Sequence, residues 1–300
     1  MGQGCNILTS VDDLSDHDLS KIFFHARSKK FHEYKEAVLM TAFFEPSTRT
    51  RLSFEMAAYR LGMRVSTFSQ VTSSQQKGET FRDTIDNLLA LGPDVLVIRC
   101  KESLNQNNFS SQDSIIINGG DGIGEHPTQA LADCFTLLSH WRTDSMQGKK
   151  ILIVGDLAHS RVAHSDIRLM KRLSAEVILL APRQLQPCDS LLHAQYIERF
   201  EQVPRDLDAV MCLRIQKERI QEGCLMSDGD YRRDFGLSLE RFLSLSDKCV
   251  VLHPGPMNVG IEIERDTAVH ERSLILEQVR HGVTIRAALI SHMLRGRQWL

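Results

Sequence analysis

The chain has 300 residues, 42% of them hydrophobic and 25% charged, with 36 basic and 38 acidic side chains and a formal charge of -2. That balance fits a substantial folded interior and excludes disorder as the main state, and the absence of a long basic run argues against a broad nucleic-acid footprint. No apolar run approaches the roughly 18 residues of a membrane span, so no membrane partner is expected. The seven cysteines include no C-x-x-C pair, and several sit inside apolar segments. Reduced intracellular thiols usually sit this way, and a cytoplasmic setting is expected.

In chain order, β-rich runs occur at 38–44, 65–68, 95–99, 114–118, 151–154, 176–181, 209–213 and 250–253, with helical patterns between them at 50–61, 79–91 and 127–140 among others. Short strands alternating with longer helices predict βαβ units and mostly parallel sheets. The polar segment 141–150 follows a long helix and precedes a fresh strand, so it is the natural place for a boundary. The expected architecture is α/β, with two doubly wound domains at 1–140 and 141–300. A final amphipathic segment at 273–300 returns toward the first.

Between the first strong strand and its helix lies Phe43-Phe44-Glu45-Pro46-Ser47-Thr48-Arg49-Thr50. Hydroxyls and a guanidinium at a helix N-terminus, where backbone N–H groups are unpaired and the dipole favours negative charge, make a phosphate cradle. Taken alone, the same residues also fit an ordinary N-cap with a surface arginine. Arg99 closes the apolar run Val95-Leu96-Val97-Ile98, and open α/β sheets present ligand-binding groups at the carboxyl ends of their strands. Gly155-Asp156 follows another such run, but no G-x-G-x-x-G is present there, and a dinucleotide site is rejected.

The stretch 44–55 resembles the carbamoyl-phosphate signature of the aspartate and ornithine carbamoyltransferase family. Five further segments follow in the family's order: Lys77-Gly78-Glu79-Thr80, His126-Pro127-Thr128-Gln129, the run from Gly155 to Arg161, Leu213-Arg214-Ile215-Gln216, and His253-Pro254-Gly255-Pro256. His-Pro-Thr-Gln and His-Pro-Gly-Pro are similar to the aspartate branch, since the ornithine branch typically carries Cys after His-Pro. The resemblance implies transfer of a carbamoyl group from carbamoyl phosphate to L-aspartate, in pyrimidine synthesis. It implies no metal and no organic cofactor.

By that resemblance, Ser47, Thr48, Arg49 and Thr50 hold the phosphate. Thr50, Arg99 and His126 aim donors at the carbonyl oxygen, and Gln129 accepts from the carbamoyl amide. Arg161, Arg214 and Gln216 hold aspartate, arginine being suited because its planar fork meets a carboxylate with two parallel bonds. The turn at Gly255 and Pro256 offers a backbone carbonyl to the substrate amines. The loop 72–79 is expected to reach a neighbouring subunit's site, with Lys77 contacting both substrates and Ser73, or the adjacent Ser74, the phosphate. A homotrimer with shared sites follows, and the resemblance leaves regulatory chains or a dihydroorotase open as partners. One substrate per domain implies that the domains close for catalysis. Two positions depart from the family's pattern: Gly119 stands where relatives often have Ala, and Val259 where many have Arg.

Overall fold

The computed structural model describes residues 6–69, 79–109, 113–187, 194–219 and 226–295. Ser73, Ser74 and Lys77 lie outside the described residues. The chain forms two compact units, Met1–Phe135 with Arg280–Leu300, and Thr136–Val279.

The first unit holds strands β1 (Ile7–Leu8), β2 (Val38–Phe43), β3 (Arg64–Ser69), β4 (Val95–Cys100) and β5 (Ile115–Asp121), in the sheet order β1-β5-β4-β2-β3. Every described pairing is parallel. Its helices are α1 (Asp16–Ser28), α2 (Thr48–Arg60), α3 (Phe81–Ala90) and most of α4 (Pro127–Trp141). Val95, Leu96, Val97 and Ile98 are all fully buried. A strand apolar on both faces requires cover on both faces, and helices packed on either side of a parallel sheet supply it.

The second unit repeats the plan with β6 (Lys150–Val154), α5 (Arg161–Arg172), β7 (Glu176–Leu180), β8 (Gln195–Ile197), β9 (Ala209–Cys212), α6 (Asp228–Phe235), α7 (Leu239–Leu243), β10 (Val250–Leu252) and α8 (Arg265–Ala268). Its order is β10-β9-β6-β7-β8, again parallel throughout the described pairs. The last helix, α9 (Ile275–Leu294), begins in this unit, and its residues from Arg280 onward belong to the first. Among the described residues no helix is long and apolar enough to cross a membrane.

Eight strands fall where alternation predicts them. β1 and β8 were not predicted: they are edge strands of two and three residues, too short to show a period. β5 also runs on to Asp121, past its predicted end, through a register shift between Ile98 and Cys100 of β4. That irregularity lies beside Arg99.

Candidate active site

Parallel pairing puts all carboxyl ends of a sheet on one edge, and in the first unit that edge gathers the predicted donor-binding groups. Arg99 is in register with Phe43, the last residue of β2, so the strand-end arginine lies next to the short connection that leads into α2. Ser47 is the N-cap of α2, with extended backbone (φ -160°, ψ 95°) and no side-chain cap hydrogen bond. The other described Ser and Thr N-caps, Ser10, Ser15, Thr80, Ser160, Ser227 and Ser238, all accept one from a backbone N–H. At α2 alone among these, the donors of the first turn are left to something other than the cap.

Thr48 and Arg49 are exposed at this end of α2, and Thr50 is buried. The Thr50 Oγ1 lies 3.4 Å from Nε2 of the buried His126. His126 immediately precedes α4, and its carbonyl accepts from the N–H groups of Gln129 and Ala130. Arg99 donates from Nη1 to the Gly119 carbonyl at 3.1 Å and lies 3.9 Å from Glu45 through Nε. Glycine at 119 has a steric reason, because a Cβ there would meet the Ile98 carbonyl oxygen and Val97 Cγ1 at 3.2 Å. The loop that carries His126 is fastened to the chain's start: Ser10 Oγ donates to Glu125 Oε1 at 2.7 Å, and Asn118 Nδ2 donates to the Thr9 carbonyl at 2.9 Å.

In the second unit the predicted acceptor-binding residues Arg161, Arg214 and Gln216 follow the adjacent strands β6 and β9. Arg161 is the buried first residue of α5, which Ser160 caps by accepting from Ala163 N–H at 3.2 Å. Asp156 is fully buried, and its two oxygens tie the loops together. Oδ1 accepts from His159 N–H at 3.1 Å, and Oδ2 from Gln216 N–H at 3.2 Å. Gln216 Nε2 and Arg219 Nη1 both donate to the His159 carbonyl, at 2.8 and 3.0 Å. Arg214 meets Glu218 with both terminal guanidinium nitrogens, and that contact holds the Glu218 carboxyl below its usual range.

The third loop of this unit, 253–264, is built on a buried histidine. His253 Nδ1 accepts from Gly255 N–H at 2.9 Å, which leaves Nε2 to carry the proton toward Glu262 Oε1 at 3.2 Å. Glu262 Oε1 also accepts from Asn258 N–H. The Gly255–Pro256 peptide is cis, and Gly255 takes φ +68°, a conformation that favours glycine. Val259 is exposed and bridges to Ile263.

Several polar residues that hold the site have no role in the sequence reading: Glu45, Glu125, Asp133, Asp156, Glu218, Glu262 and Arg286. A signal existed for Asp133, four residues after Gln129 on one helix face, and for Asp156, which follows a glycine at a strand end. Glu262 and Arg286 carried none.

Two family models cover the chain in tandem: the carbamoyl-P binding domain of aspartate/ornithine carbamoyltransferases matches residues 7–139, and their Asp/Orn binding domain matches 147–293. The aspartate carbamoyltransferase catalytic subunit of Maricaulis maris is 42% identical over 295 residues, spanning 94% of this chain and 92% of that protein. The corresponding subunit of Listeria welshimeri is 38% identical, spanning 96% and 95%. Among solved structures, aspartate transcarbamoylase from Trypanosoma cruzi in complex with N-(phosphonacetyl)-L-aspartic acid superposes with a TM-score of 0.84 at 29% identity, over 97% of this chain and 96% of that one. Ornithine carbamoyltransferase from Gloeobacter violaceus shares the fold, with a TM-score of 0.80 at 22% identity over 97% and 99%. Both halves matched in order, with such identity sustained from end to end, mean that the chain belongs to the aspartate/ornithine carbamoyltransferase family.

Proposed function

We propose that the chain transfers the carbamoyl group of carbamoyl phosphate to the amine of L-aspartate, releasing phosphate and N-carbamoyl-L-aspartate, the committed early step of pyrimidine synthesis. The observation that carries this reading is Ser47, an N-cap with no side-chain cap hydrogen bond at the head of α2, on the same sheet edge as Arg99 and with His126 beside Thr50. Ser47, Thr48, Arg49 and Thr50 bind the phosphate. As the amine attacks, charge grows on the carbonyl oxygen, and Thr50, Arg99 and His126 stabilise it. Gln129 accepts from the carbamoyl NH2. Arg161, Arg214 and Gln216, with the turn at Gly255 and Pro256, hold aspartate, and the domains close to bring the two substrates together. The departing phosphate takes the amine's proton, so no covalent intermediate on the enzyme is needed.

The working form is a cytoplasmic homotrimer in which Ser73 and Lys77 of each chain complete a neighbour's site. Support comes from α2, where Leu52, Met56 and Tyr59 recur along one face and are 46%, 50% and 62% exposed. An apolar stripe of that kind on the helix that heads the phosphate cradle suits burial against another copy. The test is phosphate release from carbamoyl phosphate by a preparation whose mass by light scattering is three chains. Release that depends on L-aspartate and not on L-ornithine is expected. Silence with both acceptors, a preference for ornithine, or activity confined to single chains would overturn the corresponding part.

A further inference from the structure

Arg286 is an interior cation of the first unit. It lies on α9, is 3% exposed, and sits with its guanidinium 5.1 Å from the Phe54 ring centroid. Burial pushes it down to about 10, with Asp133 pulling the other way, so it is charged at neutral pH. Its Nη2 donates to Gln129 Oε1 at 3.5 Å, while Gln129 Nε2 donates to Oδ1 of the fully buried Asp133 at 2.9 Å. Gly282, one turn earlier on α9, leaves room for the guanidinium, since a Cβ there would come within 2.7 Å of Nη1.

These two neighbours act on Gln129 in the same sense. A guanidinium can only donate and a carboxylate accepts, so one end of the amide faces each and the reverse orientation would lose both bonds. Gln129 Oε1 keeps a second lone pair. We infer that Asp133 and Arg286 are positioning residues that lock Gln129 as an acceptor and thereby set donor specificity, favouring a carbamoyl NH2 over the methyl group of an acyl phosphate of the same shape. The inference rests on the reading of Gln129 as the carbamoyl ligand. Its physical basis is that a site built around an oriented polar group rejects an analogue that leaves the group unpaired.

The experiment compares kcat/KM for carbamoyl phosphate with kcat/KM for acetyl phosphate, L-aspartate being the acceptor in both cases and N-acetyl-L-aspartate and phosphate the products in the second. In Asp133→Leu and Arg286→Met the preference for carbamoyl phosphate is expected to fall about tenfold, the loss of one oriented hydrogen bond. Gly282→Ala removes no charge and puts a better helix former in α9, yet presses on the guanidinium. It is expected to lower the preference about threefold with an unchanged or raised melting midpoint, and it decides the matter if the charge variants fail to fold. Gln129→Leu should abolish most of the preference. A preference lost in Gln129→Leu but intact in Arg286→Met and Gly282→Ala would overturn this inference alone. A preference intact in Gln129→Leu would overturn the reading of Gln129 itself.

Discussion

In the first unit most of the proposed donor-binding groups stand on regular structure: Thr48, Arg49 and Thr50 are the opening residues of α2, Arg99 belongs to β4 and Gln129 to α4, while Ser47 and His126 immediately precede α2 and α4. In the second, Arg161 opens α5, but the other proposed acceptor-binding groups, Arg214, Gln216 and Gly255, stand on loops. The buried Asp156 and the His253–Glu262 pair hold those loops. A helix or strand positions a side chain through many backbone bonds at once, so losing one contact costs little. A loop held by a few buried acceptors depends on each. Substitutions in the first unit should therefore damage chemistry and spare the fold, whereas those in the second should damage both.

The largest expected effect tests the first half of that contrast. Arg49 is exposed, so Arg49→Ala chiefly removes charge; kcat should fall about 10²–10³-fold, the scale of one lost donor to a developing anion. The melting midpoint should stay within a degree or two, roughly what a surface change permits. A large drop in midpoint would mean that Arg49 holds the loop together.

Asp156→Asn tests the second half. An amide replaces a carboxylate that accepts from two loops, and stability should fall by about 2 kcal/mol in chemical denaturation. KM for aspartate should rise about tenfold, while calorimetric binding of carbamoyl phosphate is unchanged. Equal weakening of both substrates would erase the distinction between the units.

The smallest effect is expected at Gly119→Ala. Contacts at 3.2 Å with Ile98 and Val97 require β4 to give slightly, at about 1 kcal/mol. Because the Gly119 carbonyl accepts from Arg99, kcat should change by less than about threefold. A loss as large as that in Arg49→Ala would show that Arg99 is held far less firmly by its strand than the contrast assumes.

Much of the proposed donor half can be read from the sequence because each of its signals is local in the chain. Ser47 to Thr50 signal themselves as an N-terminal turn, and Arg99 as the polar end of an apolar run. The ties that hold them were not legible. Arg286 and Gln129 are 157 positions apart, and no spacing rule pairs a cation with an amide over that distance. Arg214 was read as a carboxylate clamp, and its fork rests on Glu218 four residues later. A spacing of four residues is compatible with that pair, as the family motif is with a substrate carboxylate.

By itself the sequence determined two parallel α/β sheets, the strand-to-helix turns that carry the site, and the family, because alternating apolar runs and capping residues act within a few positions of each other. Which buried polar groups hold those turns emerges only from the folded chain: Asp156 across two loops, His253 against Glu262, and Arg286 with Asp133 around Gln129. A buried polar atom must find a partner wherever packing brings one. Packing is settled by the whole fold, and spacing along the chain does not encode it.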